Sequence, residues 1–137
     1  MAVRGAKAIV LDPDNSVLIV RRSATHPFVP HTNDLPGGKV ESNETMVQGL
    51  TRELVEEIGL NIENLPIRVV GSCHEPNYYG REYSLELYEV KVPARPAIVL
   101  DGKEHDSYRW VPLARASITG ELYQKLLTEY TKARYGA

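Results

Sequence analysis

The sequence predicts an α/β protein in which a mixed β-sheet lies between helices, an α/β/α sandwich. Short aliphatic runs separated by turn residues indicate strands, and two amphipathic segments, 45–58 and 119–135, indicate helices. Strands interleaved with helices in this order place helices on both faces of one sheet. The length of 137 residues is that of one domain, so we assign residues 1–137 to a single domain.

The first elements are predicted to be a hairpin and a long loop. Residues 8–11 and 17–20 are aliphatic runs separated by Asp-Pro-Asp-Asn-Ser, which favours a turn and therefore an antiparallel hairpin. Residues 21–34 contain two prolines and little periodicity, which predicts a surface loop. Long loops inside compact domains are usually functional, so we expect this loop to border a site.

The helix at 45–58 has the best-marked ends. Thr45 followed by Gln48 has the pattern of a capping box, and Gly59 is the residue that most often ends a helix in the left-handed conformation. An apolar stripe is expected to dock this helix on the sheet. Its members are Val47, Leu50, Leu54 and Ile58. Gly49 either clears space beside the acidic residues or allows close packing on a neighbouring element.

The second half of the chain is predicted to contain three strands and a closing helix. Residues 67–74 and 83–92 are strand-like, with a turn or loop at 75–82. The shifted alternation after Leu87 indicates a bulge or burial on both faces. Residues 107–111 form the last strand, after which Pro112 opens a short helical turn. The terminal helix presents one stripe, formed by Leu122, Leu126, Tyr130 and Ala133.

Composition and charge exclude several classes of protein. The net charge of −2 provides no basic field for a nucleic acid polymer or an anionic membrane. We find neither a signal peptide nor an apolar run of membrane-spanning length, and Cys73 is the single cysteine. A reducing compartment suits such a chain, so we expect a cytoplasmic protein.

Three glutamates are crowded on one face of the first helix. Glu53, Glu56 and Glu57 fall within an arc of about 100° at helical spacing, where like charges repel by a few tenths of a kcal/mol per pair. A hard divalent cation such as Mg²⁺ would offset this repulsion, because it prefers oxygen ligands. The alternative is an acidic face exposed to solvent. The preceding Gly37-Gly38 lets the backbone approach a ligand, so a carbonyl there is a further candidate ligand.

These residues form a longer pattern that resembles the signature of the Nudix hydrolases. The pattern is G-x5-E-x7-R-E-U-x-E-E-x-G-U, where U is a bulky aliphatic residue, and all nine positions match. They are Gly38, Glu44, Arg52, Glu53, Leu54, Glu56, Glu57, Gly59 and Leu60. Asn43 replaces a glycine found in many relatives, but asparagine tolerates the same left-handed conformation.

The resemblance to this family, and to its compact MutT-like members, implies a reaction. It implies hydrolysis of the diphosphate linkage in a nucleoside diphosphate derivative by water, with Mg²⁺ as the cofactor and Mn²⁺ as an alternative. Glu53, Glu56 and Glu57 then correspond to metal ligands together with the Gly38 carbonyl, and Arg52 and Glu44 to orienting residues. Either Glu56 or Glu57 would accept the proton of water. Glu104, from a later loop, is a further candidate base; its neighbours His105 and Asp106 carry less weight.

The substrate is a small nucleotide whose identity the sequence leaves open. Arg22 is a candidate contact for its phosphate or base, and Tyr78 and Arg81, beside Tyr79, for stacking of a nucleobase. The sequence markers of the subfamilies conflict. The candidate substrates therefore still include nucleoside triphosphates, ADP-ribose, coenzyme A and diadenosine polyphosphates. The alternative function is a Nudix-like nucleotide-binding or regulatory module without catalysis, and isomerase chemistry would require a catalytic cysteine. The resemblance also leaves homodimer formation open.

Overall fold

The computed structural model describes residues 2–25 and 31–136, in which four strands precede the first helix and three more precede the second. The strands are β1 Ala2–Leu11, β2 Ser16–Arg22, β3 Asn33–Asp34, β4 Gly37–Lys39, β5 Ile67–Tyr78, β6 Arg81–Lys91 and β7 His105–Pro112. The helices are α1 Met46–Ile58 and α2 Glu121–Tyr135, with a 3₁₀ turn at Leu113–Arg115 that follows Pro112 as predicted. No helix in the described ranges is long and apolar enough to cross a membrane.

The strands form one mixed sheet in the described part of the chain. Its main order is β3-β2-β1-β6-β5, while β4 pairs with β1 and β7 pairs with β2. The long central pair, β1 with β6, is parallel from Ala2 opposite Glu82 to Leu11 opposite Lys91. The remaining pairs are antiparallel. The prediction of a mixed sheet is therefore confirmed.

The predicted N-terminal hairpin exists only around its turn. Leu11 opposite Val17 is the registered pair between β1 and β2. Further from the turn, β1 pairs with β4 at residues 5–7 and β2 pairs with β7 along its length. Of the predicted loop at 21–34, residues 26–30 lie outside the described residues, and Asn33–Asp34 pairs with β2 as β3.

Of the turn or loop predicted at 75–82, the structure has the turn, and the strands extend further into the segment than predicted. β5 continues to Tyr78 and β6 begins at Arg81, joined by a tight turn in which Tyr79 and Gly80 both have positive φ. Pro76 is tolerated because β5 lies at the edge of the sheet. The predicted irregularity is present, with a register shift between Val69 and Gly71 and burial of β6 on both faces from residue 87 to 90.

Alternate residues of β1 enter two hydrophobic cores on opposite faces of the sheet. Ala8 and Val10 pack on the α1 side, and Ile9 and Leu11 pack on the α2 side. The α1 core includes Leu50, Leu54 and Ile58, and the α2 core includes Tyr123, Leu126, Leu127 and Tyr130. The α/β/α sandwich is therefore confirmed, with one long helix on each face.

The helix ends agree with prediction better than the helix faces do. Thr45 and Gln48 form the capping box, and Gly59 ends α1 with φ of 68°. Val47 was wrongly placed in the docking stripe, because 43% of its surface is exposed. On α2, Ala133 is exposed and Leu122 half-buried. The buried face contains Tyr123, Leu126, Leu127 and Tyr130, and its centre lies to one side of the predicted stripe.

Gly49 allows α1 to pack closely against the segment after β4. A Cβ atom at this position would lie 2.7 Å and 2.9 Å from the two methyl carbons of Val40, and 3.1 Å from its Cβ. Rotation of the Val40 side chain does not remove this contact, because the Val40 Cβ is fixed to the backbone. Of the two explanations considered for this glycine, close packing on a neighbouring element is therefore the one that the structure supports.

Gly49→Ala should destabilise the protein although alanine favours helices. The steric contact costs about 1–3 kcal/mol, which exceeds the gain of about 1 kcal/mol in helix propensity. Urea unfolding should show a lower free energy of unfolding for Gly49→Ala than for wild type. In a Val40→Ala background the same change should be stabilising, and a stabilising effect in the wild-type background would contradict the packing explanation.

Candidate active site

The middle of α1 faces the glycine backbone of β4. Glu57 is 5% exposed, and its Oε1 accepts a hydrogen bond of 2.9 Å from the Gly37 N–H. At Gly38, a Cβ atom would lie 3.0 Å from the carboxyl carbon of Glu53. Glycine at this position therefore lets the backbone approach a glutamate side chain of the helix. The Gly38 backbone thus lies beside the acidic cluster, and its carbonyl as a metal ligand stays a prediction.

Burial and repulsion between neighbouring carboxylates both raise the pKa of glutamates in this cluster. Burial raises the pKa of Glu57 to about 8; the Gly37 N–H and Lys7 oppose the rise, and Glu53 adds to it. Burial likewise raises the pKa of Glu53, against the opposing effect of Arg52. A nearby cation would stabilise the ionised form of carboxylates that are buried and close to one another. The donor set consists of carboxylate oxygens, and it fits a hard divalent cation.

Arg52 connects four parts of the site. Its Nε and Nη2 donate to the two oxygens of Glu44 at 2.8 Å and 3.0 Å, and Nη1 donates to Glu53 at 3.1 Å and Glu56 at 3.2 Å. Nη2 also donates to the Lys39 carbonyl at 3.0 Å. The hydrogen bond from Arg52 is the main cause that lowers the pKa of Glu44 to about 2. Arg52 thus holds both Glu44 and the cluster glutamates.

A second group of metal-ligand side chains adjoins the first at Glu57. Among the described residues, ligand atoms of Glu57, Glu104 and His105 all lie within 4.8 Å of one another. Glu104 is exposed and lies directly before β7, whereas His105 is 3% exposed and its pKa is lowered by burial. His105 was a weak candidate from sequence, and its position beside Glu104 at the start of a strand was the available signal. Asp106 lies apart and accepts from Arg21.

A cavity of about 310 Å³ opens on the other side of Gly38. Its walls come from β1, β2, β4, β5, β6 and the start of α2. The lining residues are Val3, Arg4, Gly5, Lys7, Arg22, Gly38, Lys39, Tyr78, Tyr83, Leu85, Gly120, Glu121, Leu122 and Tyr123. The cavity therefore combines cationic and aromatic side chains and extends to the edge of the carboxylate cluster.

Two cations of this cavity share one buried carboxylate. Lys7 Nζ donates to Asp34 Oδ2 at 2.7 Å, and Arg22 donates to the same oxygen through Nε at 3.2 Å and Nη2 at 3.0 Å. Burial alone would raise the pKa of Asp34, but the two cations outweigh it and lower the pKa. The pair carries one positive charge more than the carboxylate, so the wall is suited to an anionic ligand.

Of the residues predicted to contact the substrate, some line the cavity and others lie outside it. Arg22 and Tyr78 line the cavity, and Tyr78 donates a hydrogen bond of 2.7 Å to Glu121. Glu104 lies with Glu57 in the acidic group, outside the cavity lining. Arg81 is exposed at the start of β6 and does not line the cavity. Tyr79 is 86% exposed and meets Tyr78 edge to face, and it does not line the cavity, so stacking of a nucleobase on this pair stays a prediction.

Several cavity residues were missed because no local pattern marks them. Lys7 lies in a strand whose neighbours are aliphatic, and Tyr83 and Tyr123 fit an ordinary strand and helix. The pairing of β1 with both β4 and β6 brings Lys7 and Tyr83 to one place, and α2 adds Tyr123. Such residues are recognised only after the strands have been assembled.

Comparisons with known proteins agree with this architecture. The chain is 27% identical to Nudix hydrolase 8 of Arabidopsis thaliana over 134 residues, which cover 95% of the chain and 36% of that protein. It is 42% identical to an 8-oxo-dGTP diphosphatase of Proteus vulgaris over 60 residues, which cover 42% of the chain and 50% of that protein. The chain thus spans half or less of the length of these two relatives.

A solved structure shows the same fold. The MutT protein of Methanosarcina mazei Go1 superimposes with a TM-score of 0.79 at 21% identity, over 97% of this chain and 95% of the other. In sequence, the family model described as the NUDIX domain matches residues 1–130. This match covers nearly the whole chain, together with the sheet, both helices and the carboxylate cluster, and the protein therefore belongs to the NUDIX family.

Proposed function

We propose that the protein hydrolyses the diphosphate linkage of a nucleoside diphosphate derivative, by metal-dependent attack of water on phosphorus. The observation that carries this proposal is the position of Gly38. On one side Gly38 touches Glu53 of the carboxylate cluster, and on the other it lines the cavity with its cations and aromatic rings. A ligand in this cavity therefore presents its anionic end to the glutamates.

The metal would be held by the carboxylates of α1. Glu53, Glu56 and Glu57, with the Gly38 carbonyl, supply hard oxygen ligands suited to Mg²⁺, and Mn²⁺ is the alternative. When bound, such an ion neutralises the diphosphate and lowers the pKa of a coordinated water. Glu56 is the most accessible of the three, with 58% of its side chain exposed. It can therefore reach ligand and solvent without a change in the helix.

Arg52 and Glu44 position the carboxylates. The planar guanidinium fork engages both oxygens of Glu44 and also reaches Glu53 and Glu56, so one side chain sets their separation. Glu56, Glu57 and Glu104 are the candidates for accepting the proton of the attacking water. Glu104 has a ligand atom within 4.8 Å of one on Glu57, so a base from this later segment is within reach of the same site.

The cavity would hold the nucleoside and the adjoining phosphate. Arg22 and Lys7 face it as cations, and a volume of about 310 Å³ lies within the range of small-molecule sites. Tyr78 and Tyr83 meet edge to face, with ring centroids 5.5 Å apart, and form an aromatic wall suited to a nucleobase. The small nucleotide expected from sequence fits this arrangement.

Glu56→Gln should abolish most of the hydrolysis without unfolding the protein. Loss of a metal-binding or proton-accepting carboxylate should lower kcat by about 100-fold or more. Mg²⁺ should also raise the Tm of wild type by linkage, and raise that of Glu56→Gln less. Glu63→Gln, a change at an exposed glutamate beyond α1, is the matched control. Activity of Glu56→Gln close to that of wild type would contradict the metal assignment.

Arg52→Lys should impair the site although it keeps the positive charge. Lysine cannot engage both oxygens of Glu44 while also reaching Glu53 and Glu56, so kcat should fall by about 10–100-fold. Arg115→Lys, at an exposed position, provides the control and should behave as wild type. Equal activity of Arg52→Lys and wild type would show that the guanidinium geometry is dispensable.

A substrate panel distinguishes hydrolysis from binding alone. Wild-type protein with Mg²⁺ is assayed on nucleoside triphosphates including 8-oxo-dGTP, ADP-ribose, NADH, diadenosine polyphosphates and coenzyme A, with chromatographic separation of the nucleotide products as the readout. We expect turnover of at least one of these compounds. Measurable affinity for one of them without turnover of any would favour the nucleotide-binding or regulatory module instead.

A further inference from the structure

Arg4 holds the segment that joins β4 to α1. The residue lies near the start of β1 and is half-buried. Its Nη1 donates hydrogen bonds of 3.0 Å to the carbonyl oxygens of both Glu41 and Glu44. Its own carbonyl oxygen accepts a hydrogen bond of 2.8 Å from the Val40 N–H. Arg4 therefore contacts the joining segment, residues 40–45, near both of its ends from one position on the strand.

The joining segment belongs to no helix or strand, and its other hydrogen bonds are mostly internal. Residues 41–43 are exposed, and Glu44 is half-buried. The Glu44 N–H donates to the Glu41 carbonyl at 3.0 Å, and Glu44 Oε1 accepts from the Glu41 N–H at 2.9 Å. Both bonds lie inside the turn, so they do not fix its distance from the sheet. The side chain of Arg4 sets that distance.

Glu44 connects this segment to the carboxylates of α1. Its two carboxylate oxygens accept from Arg52 at 2.8 Å and 3.0 Å, and Arg52 Nη1 donates to Glu53 at 3.1 Å and Glu56 at 3.2 Å. A continuous series of hydrogen bonds therefore runs from Arg4 on β1 to two of the predicted metal ligands. Because the guanidinium of Arg52 is planar and rigid, a displaced Glu44 would turn it and change the separation of these carboxylates.

We propose that Arg4 is a positioning residue, which fixes Glu44 and thereby the geometry in which the α1 carboxylates hold a divalent cation. This inference rests on the proposed function, in which those carboxylates bind the metal. Arg4 lies outside the nine matched positions of the Nudix signature and comes from β1 instead of α1. It also lines the cavity beside Gly38, so a direct contact with substrate is the competing role.

Two substitutions at position 4 separate the hydrogen bonds from the packing of the side chain. Arg4→Met keeps a long unbranched side chain but removes the N–H donors, so the carbonyls of Glu41 and Glu44 lose their link to β1. Arg4→Lys keeps the positive charge and a nitrogen that carries three N–H donors. Because a single nitrogen makes both contacts in wild type, lysine should restore part of what methionine loses.

Arg95 provides a matched control at the other end of β1. Its Nε donates at 2.8 Å to Asp12, which directly follows β1, and its side chain is 51% exposed. Like Arg4, it joins two segments of the chain through its guanidinium, but it has no contact with Glu44 or Arg52 among the described hydrogen bonds. Arg95→Met should therefore lower the Tm without changing the affinity for metal.

The experiment measures Mn²⁺ binding from the EPR signal of the free ion, with no substrate present. Arg4→Met should raise the Kd for Mn²⁺ about tenfold, Arg4→Lys about threefold and Arg95→Met less than about twofold. In an Arg52→Lys background, Arg4→Met should raise the Kd less than about twofold, because its effect requires the Arg52 guanidinium. For any compound that wild type hydrolyses, Arg4→Met should lower kcat about tenfold and leave KM within about twofold.

Four results would overturn the inference. The first is an unchanged Kd for Mn²⁺ in Arg4→Met, or in Arg4→Lys should the methionine variant not fold. The second is the same rise in Kd with and without Arg52→Lys, which would indicate a structural role outside this series of hydrogen bonds. The third is a higher KM at unchanged kcat, which would assign Arg4 to substrate binding. The fourth is the absence of Mn²⁺ binding by wild type.

The same measurements separate the failure of this inference from that of the proposed function. Unchanged Mn²⁺ affinity in Arg4→Met, with hydrolysis by wild type, would reject the role of Arg4 alone. Weaker Mn²⁺ binding by Arg4→Met, with no hydrolysis of any compound by wild type, would reject the proposed hydrolysis and retain the positioning role. A wild type that binds no Mn²⁺ would reject both.

Discussion

The close approach of the β4 backbone to α1 is the constraint on which the rest of the site depends. Gly37 has φ of 131°, and a Cβ atom there would lie 2.3 Å from the Ala6 carbonyl oxygen, so a side chain would separate β4 from β1. With glycine, the Gly37 N–H reaches the buried carboxylate of Glu57. Gly38 then lies against Glu53, and one short strand borders both the acidic cluster and the cavity.

The charges of the site are divided between two networks that meet at this strand. Arg52 holds Glu44, Glu53 and Glu56 on the α1 side, and Lys7 and Arg22 hold Asp34 on the cavity side. The first network leaves a surplus of carboxylates, which suits a cation. The second leaves a surplus of positive charge, which suits phosphate. An anhydride of phosphoric acid with a bound metal is the kind of ligand that satisfies both networks together.

The hydrophobic cores explain why the acidic helix can carry this charge. Leu50, Leu54 and Ile58 are fully buried, and they fix one face of α1 on the sheet. Gly49 sits against Val40, so the helix packs closely on the segment that follows β4. The burial that raises the pKa of Glu53 and Glu57 is therefore a consequence of packing that these apolar contacts stabilise.

Short-range sequence patterns were sufficient to predict the local features, namely both helices, the capping box at Thr45, the end at Gly59 and the spacing that gathers the α1 glutamates. These depend on neighbours three or four residues apart, so a single segment contains the information. Tertiary structure decided the partners of β1, the exposure of Val47 and the membership of the cavity. Lys7, Tyr83 and Tyr123 come together only through pairing and packing between distant segments, and no local pattern encodes such contacts.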